Sequence, residues 1–274
     1  MEPSLTITAL EVTGRENHNR EIELIVEEPL EIRINGEPYA TIMRTPGSEM
    51  ELAAGFCFTE GIVDSFSDVL TMGFCTESGN AGNIVNVMTA AGNTGEKTAE
   101  PAEPRKSSAR RLESRSSCGL CGVTMLEDIN RALLPLEDGP RIPAVDIVRM
   151  QYAMVEKQEL QARTKGVHAV ALVNLDGTPV VVREDVGRHN ALDKAIGYAL
   201  LRGIDCSGCV AVLSGRISFE MAQKAIRARI PIVAAVSAAT ALAVDLAERL
   251  NCTLIGRLRD DSMSIYTHKE RIIC

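Results

Sequence analysis

Two cysteines separated by two residues carry the clearest chemical signal in the sequence. They lie in the stretch Cys118-Gly119-Leu120-Cys121-Gly122. Two thiols at this spacing can bind a metal ion, form a reversible disulfide, or pass a sulfur atom from one to the other. Ahead of them, one acid, Glu113, stands among five bases: Arg105, Lys106, Arg110, Arg111 and Arg115. Nearby positive charge favours the thiolate, which is the nucleophilic form of cysteine.

A second pair, Cys206 and Cys209, keeps metal binding open, because four cysteines in two such pairs suit tetrahedral zinc. The 84 residues between the pairs (122–205) exceed the roughly 15–20 of a compact zinc ribbon. Residue chemistry alone leaves sulfur or redox chemistry and metal binding as alternatives. A zinc-dependent deaminase-like hydrolase would need a His-x-Glu pair, but His168 is followed by Ala169-Val170.

A further set of polar residues lies where apolar strands are predicted to end and helices to begin. Its members are Asp185, Arg188, His189, Ser214, Gly215, Arg216, Ser237 and Thr240. Hydroxyls and free helix N–H groups suit anions, and Arg216 adds a bidentate donor for phosphate. Each junction alone is more typical of an ordinary helix start or cap, which is common in proteins that bind nothing. We expect the junctions to share one edge of a sheet, where α/β proteins place their ligands.

The remaining pattern predicts an α/β fold. Alternating apolar and polar residues between 5 and 45 predict strands, with a hairpin turn at Asn35-Gly36. Ser48 is predicted to cap the helix that follows. From 167 onward, short β-rich runs alternate with helical segments, which indicates parallel strands with helices on both faces of a three-layer domain.

The domain organisation follows from a shift in composition. The stretch from 89 to 117 contains almost no apolar anchor, which predicts a mobile loop leading into the cysteine pair. We expect a strand-rich N-terminal part, 1–150, that carries the basic CxxC loop at about 89–122. The second unit is expected to be an α/β cofactor-binding domain, 151–274.

Composition excludes several function classes. A net charge of −8 argues against a nucleic-acid-binding protein, which usually carries a basic face. The N-terminus lacks the basic and apolar runs of a signal peptide, so we expect a cytoplasmic protein. The longest apolar stretch, from Ile230 to Leu246, contains Pro231 and Asp245 and predicts a buried strand and helix rather than a membrane span.

Taken together, the motifs resemble the formate dehydrogenase accessory sulfurtransferase family (FdhD/NarQ). The matching stretches cover nearly the whole chain in order: Arg44-Thr45-Pro46-Gly47, Glu51-Leu52-Ala53-Ala54-Gly55-Phe56, Glu60-Gly61, Ser116 to Gly122, Gly166-Val167-His168-Ala169, Glu184 to Ala191 with Asp193-Lys194, Ser214-Gly215-Arg216, Ser237 to Thr240, and Ile265-Tyr266-Thr267-His268. Three positions depart from the family pattern: Lys165 and Ala239 replace a usual glycine and proline, and Arg257 replaces a common phenylalanine.

The resemblance implies a sulfurtransferase that carries sulfur as a persulfide on Cys118, with Cys121 as its partner. The family takes sulfur from a cysteine desulfurase. It delivers that sulfur to the molybdenum or tungsten bis(molybdopterin guanine dinucleotide) cofactor for the formate dehydrogenase catalytic subunit. It also implies a homodimer and a cytidine-deaminase-like C-terminal domain, with no tightly bound metal. The alternative is a zinc-binding cofactor chaperone without sulfur transfer.

The same resemblance extends the expected cofactor site. Taken alone, His168 at a predicted strand start is more often a structural residue than a ligand, but it lies in one of the matching motifs. The family's cofactor-binding stretch near the C-terminus falls on six residues. The positions added are therefore His168, Arg257, Leu258, Arg259, Asp260, Asp261 and Ser262.

Overall fold

The computed structural model describes residues 2–14, 16–75, 82–90 and 133–274. The predicted sulfur-carrying cysteines, Cys118 and Cys121, lie outside the described residues, as does almost all of the predicted loop around them. The strands are β1 (Ser4–Thr13), β2 (Glu16–Ile25), β3 (Glu28–Ile34), β4 (Glu37–Arg44), β5 (Val69–Phe74), β6 (Ile84–Thr89), β7 (Ile142–Pro143), β8 (His168–Asn174), β9 (Pro179–Asp185), β10 (Cys209–Leu213), β11 (Ile232–Ala235), β12 (Thr253–Gly256), β13 (Ser264–Ile265) and β14 (Ile272–Ile273). The helices within these residues are α1 (Glu49–Thr59), α2 (Ala144–Val155), α3 (Glu159–Thr164), α4 (Arg188–Leu201), α5 (Phe219–Arg227) and α6 (Ala241–Arg249).

The N-terminal part contains a hairpin, β1–β2, and a four-stranded sheet in the order β4-β3-β6-β5. Helix α1 covers one face of that sheet, where Leu30 and Ile32 pack against Leu52. The turn at Asn35-Gly36 is confirmed: both residues have positive φ, 53° and 87°, as a type I′ turn requires. The predicted side-chain cap at Ser48 is wrong. This residue adopts a left-handed conformation, φ 61°, and its side chain makes no capping hydrogen bond.

The C-terminal domain is built on a six-stranded sheet in the order β13-β12-β11-β10-β8-β9. The prediction of parallel pairing holds only for β10, β11 and β12. Strand β8 runs antiparallel to both β10 and β9. The reason is local, since the short turn at Asp176-Gly177 joins β8 directly to β9, and a connection of that length can only return the chain antiparallel.

Helices cover both faces of this sheet, so the predicted three-layer α/β architecture is confirmed. Ile147 and Met150 of α2 pack on one face, in a core with alternate strand residues such as Val212. Helices α4, α5 and α6 pack on the other face, in a core that includes Leu192 and Leu246. None of the helices in the described ranges is long and apolar enough to span a membrane. The likeness to cytidine deaminase stays a prediction.

Two glycines bring the N-terminal part into close contact with the C-terminal domain. Helix α1 crosses α4 so closely that a Cβ on Gly55 would lie 1.9 Å from the backbone oxygen of Asp193. A Cβ on Gly197 would lie 1.8 Å from the backbone oxygen of Glu51. No heavy atom fits at those distances, so this crossing requires glycine on both helices.

Replacing Gly197 with alanine should therefore destabilise the protein. In an unconstrained helix the change would gain about 1 kcal/mol of helix propensity. Here the overlap with the Glu51 carbonyl must be relieved by a backbone shift, and we expect a loss of about 1–3 kcal/mol in the free energy of unfolding in urea. The control is Gly208→Ala, because a Cβ there meets nothing within 4 Å. Equal stability of Gly197→Ala and the wild type would contradict the close crossing.

Candidate functional site

Polar residues from five chain segments meet at one edge of the six-stranded sheet. Strands β10, β11 and β12 are parallel, so Ser214, Ser237 and Arg257, which follow their carboxyl ends, lie at the same edge. Strand β8 runs in the opposite direction, which brings its first residue, His168, to that edge, paired with Asp185 at the end of β9. We call this region the strand-end edge.

Two arginines at the strand-end edge make no ion pair within the part of the chain that the structure describes. Neither Arg188, the first residue of α4, nor Arg216, which follows β10, makes a hydrogen bond or ion pair with any residue that the structure describes. The Arg188 Nε is buried without a partner. Burial, and then the charge of Arg216, lower the pKa of the Arg188 guanidinium and outweigh the opposite effect of the Glu220 carboxylate. Two unpaired cations held near each other form a site that favours an anion.

Gly215 allows the arginines and a histidine to come together. A Cβ on this residue would lie 3.2 Å from His168 Nδ1 and 3.6 Å from Arg188 Cδ. The Ser214 hydroxyl lies beside it and accepts a hydrogen bond from the Ala169 amide, at 2.9 Å. The Ser214-Gly215-Arg216 turn therefore packs directly against the start of β8 and the first turn of α4.

The two histidines at this edge are neutral at pH 7. Burial lowers the pKa of His168, and the charges of Arg188 and Arg216 add to the effect. Burial, followed by nearby cations with Arg188 first, lowers the pKa of His189 to about 4. The His189 Nε2 lies 3.0 Å from a carboxylate oxygen of Glu220, which favours protonation, but burial and the cations outweigh it. The positive charge thus comes from the arginines, while the imidazoles offer neutral hydrogen-bonding groups.

Asp185 orients the turn that leads from β9 into α4 at the strand-end edge. Its side chain is fully buried. Its Oδ1 accepts hydrogen bonds from the Gly187 amide at 2.8 Å and from Asn190 Nδ2 at 2.9 Å, and its Oδ2 accepts one from the Thr45 amide at 3.1 Å. With no exposed surface, this carboxylate orients the turn before α4, whereas direct contact with a cofactor would need that turn to open.

The N-terminal part contributes to the same place. Thr45 and Pro46, between β4 and α1, are buried, and Thr45 contacts the turn that precedes α4. The Thr45 hydroxyl accepts a hydrogen bond from the Val186 amide at 3.0 Å, and the Asn190 side chain donates one to the Met43 carbonyl at 2.7 Å. Sequence reasoning gave Thr45 no role. The Arg-Thr-Pro-Gly motif was the available signal, but only the fold shows what it touches.

Comparison with known proteins decides the relationship. The FdhD/NarQ family model matches residues 25–273. The chain belongs to the FdhD/NarQ family. It is 44% identical over 256 residues to the "Sulfur carrier protein FdhD" of Mycolicibacterium paratuberculosis, covering 91% of each chain. The relative of the same name from Streptomyces coelicolor is 42% identical over 257 residues, covering 91% of this chain and 88% of its own. A crystal structure described as a formate dehydrogenase accessory protein from Desulfotalea psychrophila shares the fold, with a TM-score of 0.78, 23% identity, and coverage of 99% of this chain and all of its own.

The C-terminal stretch implied by the FdhD/NarQ resemblance forms the turn between β12 and β13. Its backbone is tied to the end of β11: the Arg257 amide donates to the Ser237 carbonyl at 2.9 Å, and the Leu258 amide to the Ala235 carbonyl at 3.1 Å. The Leu258 side chain is fully buried in the core, so only its backbone could face a cofactor. The exposed members of the stretch are Arg257, Arg259, Asp260, Asp261 and Ser262.

The helix junction at Thr240 shows simple capping. Its hydroxyl accepts a hydrogen bond from the Ala243 amide at 3.3 Å, as expected for the N-cap of α6. That contact uses one lone pair and leaves the hydroxyl proton free to donate. A cofactor contact by Thr240 stays a prediction.

The second cysteine pair lies in the protein interior. Burial raises the pKa of Cys206 to about 12 and also raises the pKa of Cys209. Both are therefore thiols rather than thiolates at pH 7, and thiols are poor nucleophiles and poor metal ligands. Within the described residues, no three His, Cys, Asp or Glu side chains are placed to hold a metal ion.

The pH dependence of stability tests the environment of His189. Its pKa is 6.5 when unperturbed and about 4 in the fold, so the unfolded chain protonates this imidazole at higher pH. The neutral imidazole therefore stabilises the fold above pH 6.5, and this contribution is lost as the pH falls towards 4. When the pH falls from 7 to 4, the free energy of unfolding should decrease in both proteins, and the decrease should be smaller in His189→Asn than in the wild type by up to about 3 kcal/mol. Superimposable pH profiles would contradict the buried neutral state, and the exposed His18→Asn serves as the control.

Proposed function

We propose that this chain is a sulfur carrier for formate dehydrogenase. Its relatives named "Sulfur carrier protein FdhD" support the role, and so does the CxxC motif in its basic stretch. The substrate that receives the sulfur is the molybdenum or tungsten bis(molybdopterin guanine dinucleotide) cofactor. The strand-end edge holds the nucleotide end of that substrate.

The observation that carries this proposal is the unpaired Arg188 and Arg216. A guanine dinucleotide cofactor carries pyrophosphate groups, and an arginine guanidinium can donate two parallel hydrogen bonds to a phosphate. The buried Arg188 Nε is left without a partner in the described residues, a costly arrangement that a bound anion would relieve. The neutral imidazoles of His168 and His189 can add hydrogen bonds without competing for the negative charge.

The sulfur chemistry needs two nucleophilic attacks. The Cys118 thiolate attacks the outer sulfur of a persulfide on a cysteine desulfurase, so that Cys118 becomes the persulfide and the desulfurase thiolate leaves. The Cys121 thiolate then attacks Cys118 Sγ and forms a disulfide, and the outer sulfur leaves as hydrosulfide for the cofactor. The sulfur gains two electrons and the two cysteines lose two, so a dithiol reductant must restore them. This makes the protein a sulfurtransferase.

The proposal includes a cytoplasmic setting, a homodimer, and two partners: a cysteine desulfurase and the catalytic subunit of formate dehydrogenase. The zinc-binding chaperone gains no support from Cys206 and Cys209, because both are buried protonated thiols.

A titration with GDP tests the nucleotide site. Wild-type protein should bind GDP, and Arg216→Ala should lose about 1.5–3 kcal/mol, the range for a hydrogen bond to a charged group. This loss corresponds to roughly 10- to 150-fold in affinity by calorimetry. The control is Arg249→Ala, because α6 ends at that exposed arginine before β12 begins, which places it at the opposite edge of the sheet. Equal affinity of Arg216→Ala and the wild type, or no binding by the wild type, would move the nucleotide elsewhere.

A further inference from the structure

The structure contains a buried lysine next to the strand-end edge that the proposed chemistry does not use. Lys194, on α4, is 2% exposed. Its Nζ lies 2.7 Å from Asp185 Oδ2, 2.9 Å from the Thr45 carbonyl and 3.5 Å from the Glu184 carbonyl. The three ammonium protons thus have three acceptors, from β9 and from the segment between β4 and α1. The lysine joins three separate pieces of chain.

The group that Lys194 neutralises fixes the turn before α4. Asp185 accepts hydrogen bonds from the Gly187 amide and the Asn190 side chain, while the intervening Val186 amide donates to the Thr45 hydroxyl. The acceptors of these three hydrogen bonds are the Asp185 carboxylate and the Thr45 hydroxyl. Because Lys194 contacts both residues, its charge compensates the buried carboxylate and its hydrogen bonds hold the two acceptors together.

The position of the Arg188 side chain depends on this turn. Its guanidinium makes no hydrogen bond or ion pair with the described residues, so no side-chain contact of that kind fixes where it points, and its backbone position matters more. That backbone begins immediately after Gly187, whose amide Asp185 holds. We propose that Lys194 is a positioning residue, which fixes the Asp185–Gly187 turn so that Arg188 faces Arg216 at the strand-end edge. The consequence for nucleotide binding rests on the proposed function.

A second buried lysine provides a matched control. Lys224, on α5, is 6% exposed and donates to Asp193 at 2.9 Å, Thr59 at 2.9 Å and Glu60 at 2.9 Å. It resembles Lys194 in burial and in its aspartate partner, and its charge is balanced by two carboxylates. It makes no hydrogen bond to the turn before α4. Lys194→Met and Lys224→Met should both lower stability, but only Lys194→Met should disturb the turn.

The first measurement needs no ligand. Hydrogen–deuterium exchange by mass spectrometry should follow a peptide spanning 183–190, with a β11 peptide reporting global unfolding. Exchange of the first peptide relative to the second should become about tenfold faster in Lys194→Met, as expected for local opening, and should change less than about twofold in Lys224→Met. If both variants, or neither, release this turn selectively, Lys194 is not a positioning residue.

The second measurement is GDP affinity by calorimetry. Residues that orient the ligands of a metal site are worth about 10- to 100-fold in affinity, and we expect about tenfold weaker binding for Lys194→Met with Lys224→Met within about twofold of the wild type. Equal losses in the two variants would overturn the proposal. If wild-type protein binds no GDP, the nucleotide site fails, and the exchange measurement alone decides the role of Lys194.

A milder variant keeps the test valid if Lys194→Met does not fold. Thr45→Val preserves the shape of the side chain but removes the hydroxyl that accepts from the Val186 amide. It should accelerate exchange in the 183–190 peptide without accelerating exchange in β11. Unchanged exchange in both peptides would show that these contacts do not hold the turn.

Discussion

Helices α1 and α4 cross without a side chain between them, because Gly55 and Gly197 each face the backbone of the other helix. Much of the site geometry depends on this approach. It holds α1 against the middle of α4, with Gly55 beside Asp193 and Glu51 beside Gly197, and the segment just before α1 contacts the turn just before α4. In that segment, Thr45 contacts both Val186 and Asp185. The strand-end edge is therefore a product of both parts of the chain, although most of its polar side chains come from the C-terminal domain.

The cationic side chains near this helix crossing differ in whether they have an ion-pair partner. Lys194 and Lys224 are buried, and each is matched by an aspartate. Arg188, at the start of the helix that carries Lys194, and Arg216, in the turn before the helix that carries Lys224, make no ion pair with the described residues. Burying a polar group without a partner is costly, so a fold that satisfies its inner lysines but leaves the buried Arg188 Nε unpaired, beside the exposed Arg216, favours an anionic ligand there. The neutral histidines beside the arginines contribute no charge of their own.

Much of this arrangement could be predicted from sequence. The α/β class followed from alternating strand and helix patterns, and the Asn35-Gly36 turn followed from glycine and asparagine preferences. The prediction of parallel pairing was wrong for β8 and β9. It extended the alternation of strands and helices seen later in the chain to two strands that a short turn joins directly. The roles of Thr45 and Lys194 depend on contacts across more than a hundred residues, which periodicity cannot reveal. Likewise, the sequence could not show that Asp185 is buried while the Arg188 guanidinium makes no ion pair, since both residues belong to the same polar stretch, 183–190.

The claim that sulfur is carried on Cys118 can be tested directly by mass spectrometry after incubation with a cysteine desulfurase and cysteine. The wild-type protein should gain the mass of one sulfur atom, located by peptide mapping on Cys118. Cys118→Ala should gain none, whereas Cys274→Ala, which removes an exposed thiol, should load like the wild type. Sulfur loading that persists in Cys118→Ala, or that maps to another cysteine in the wild type, would contradict the account.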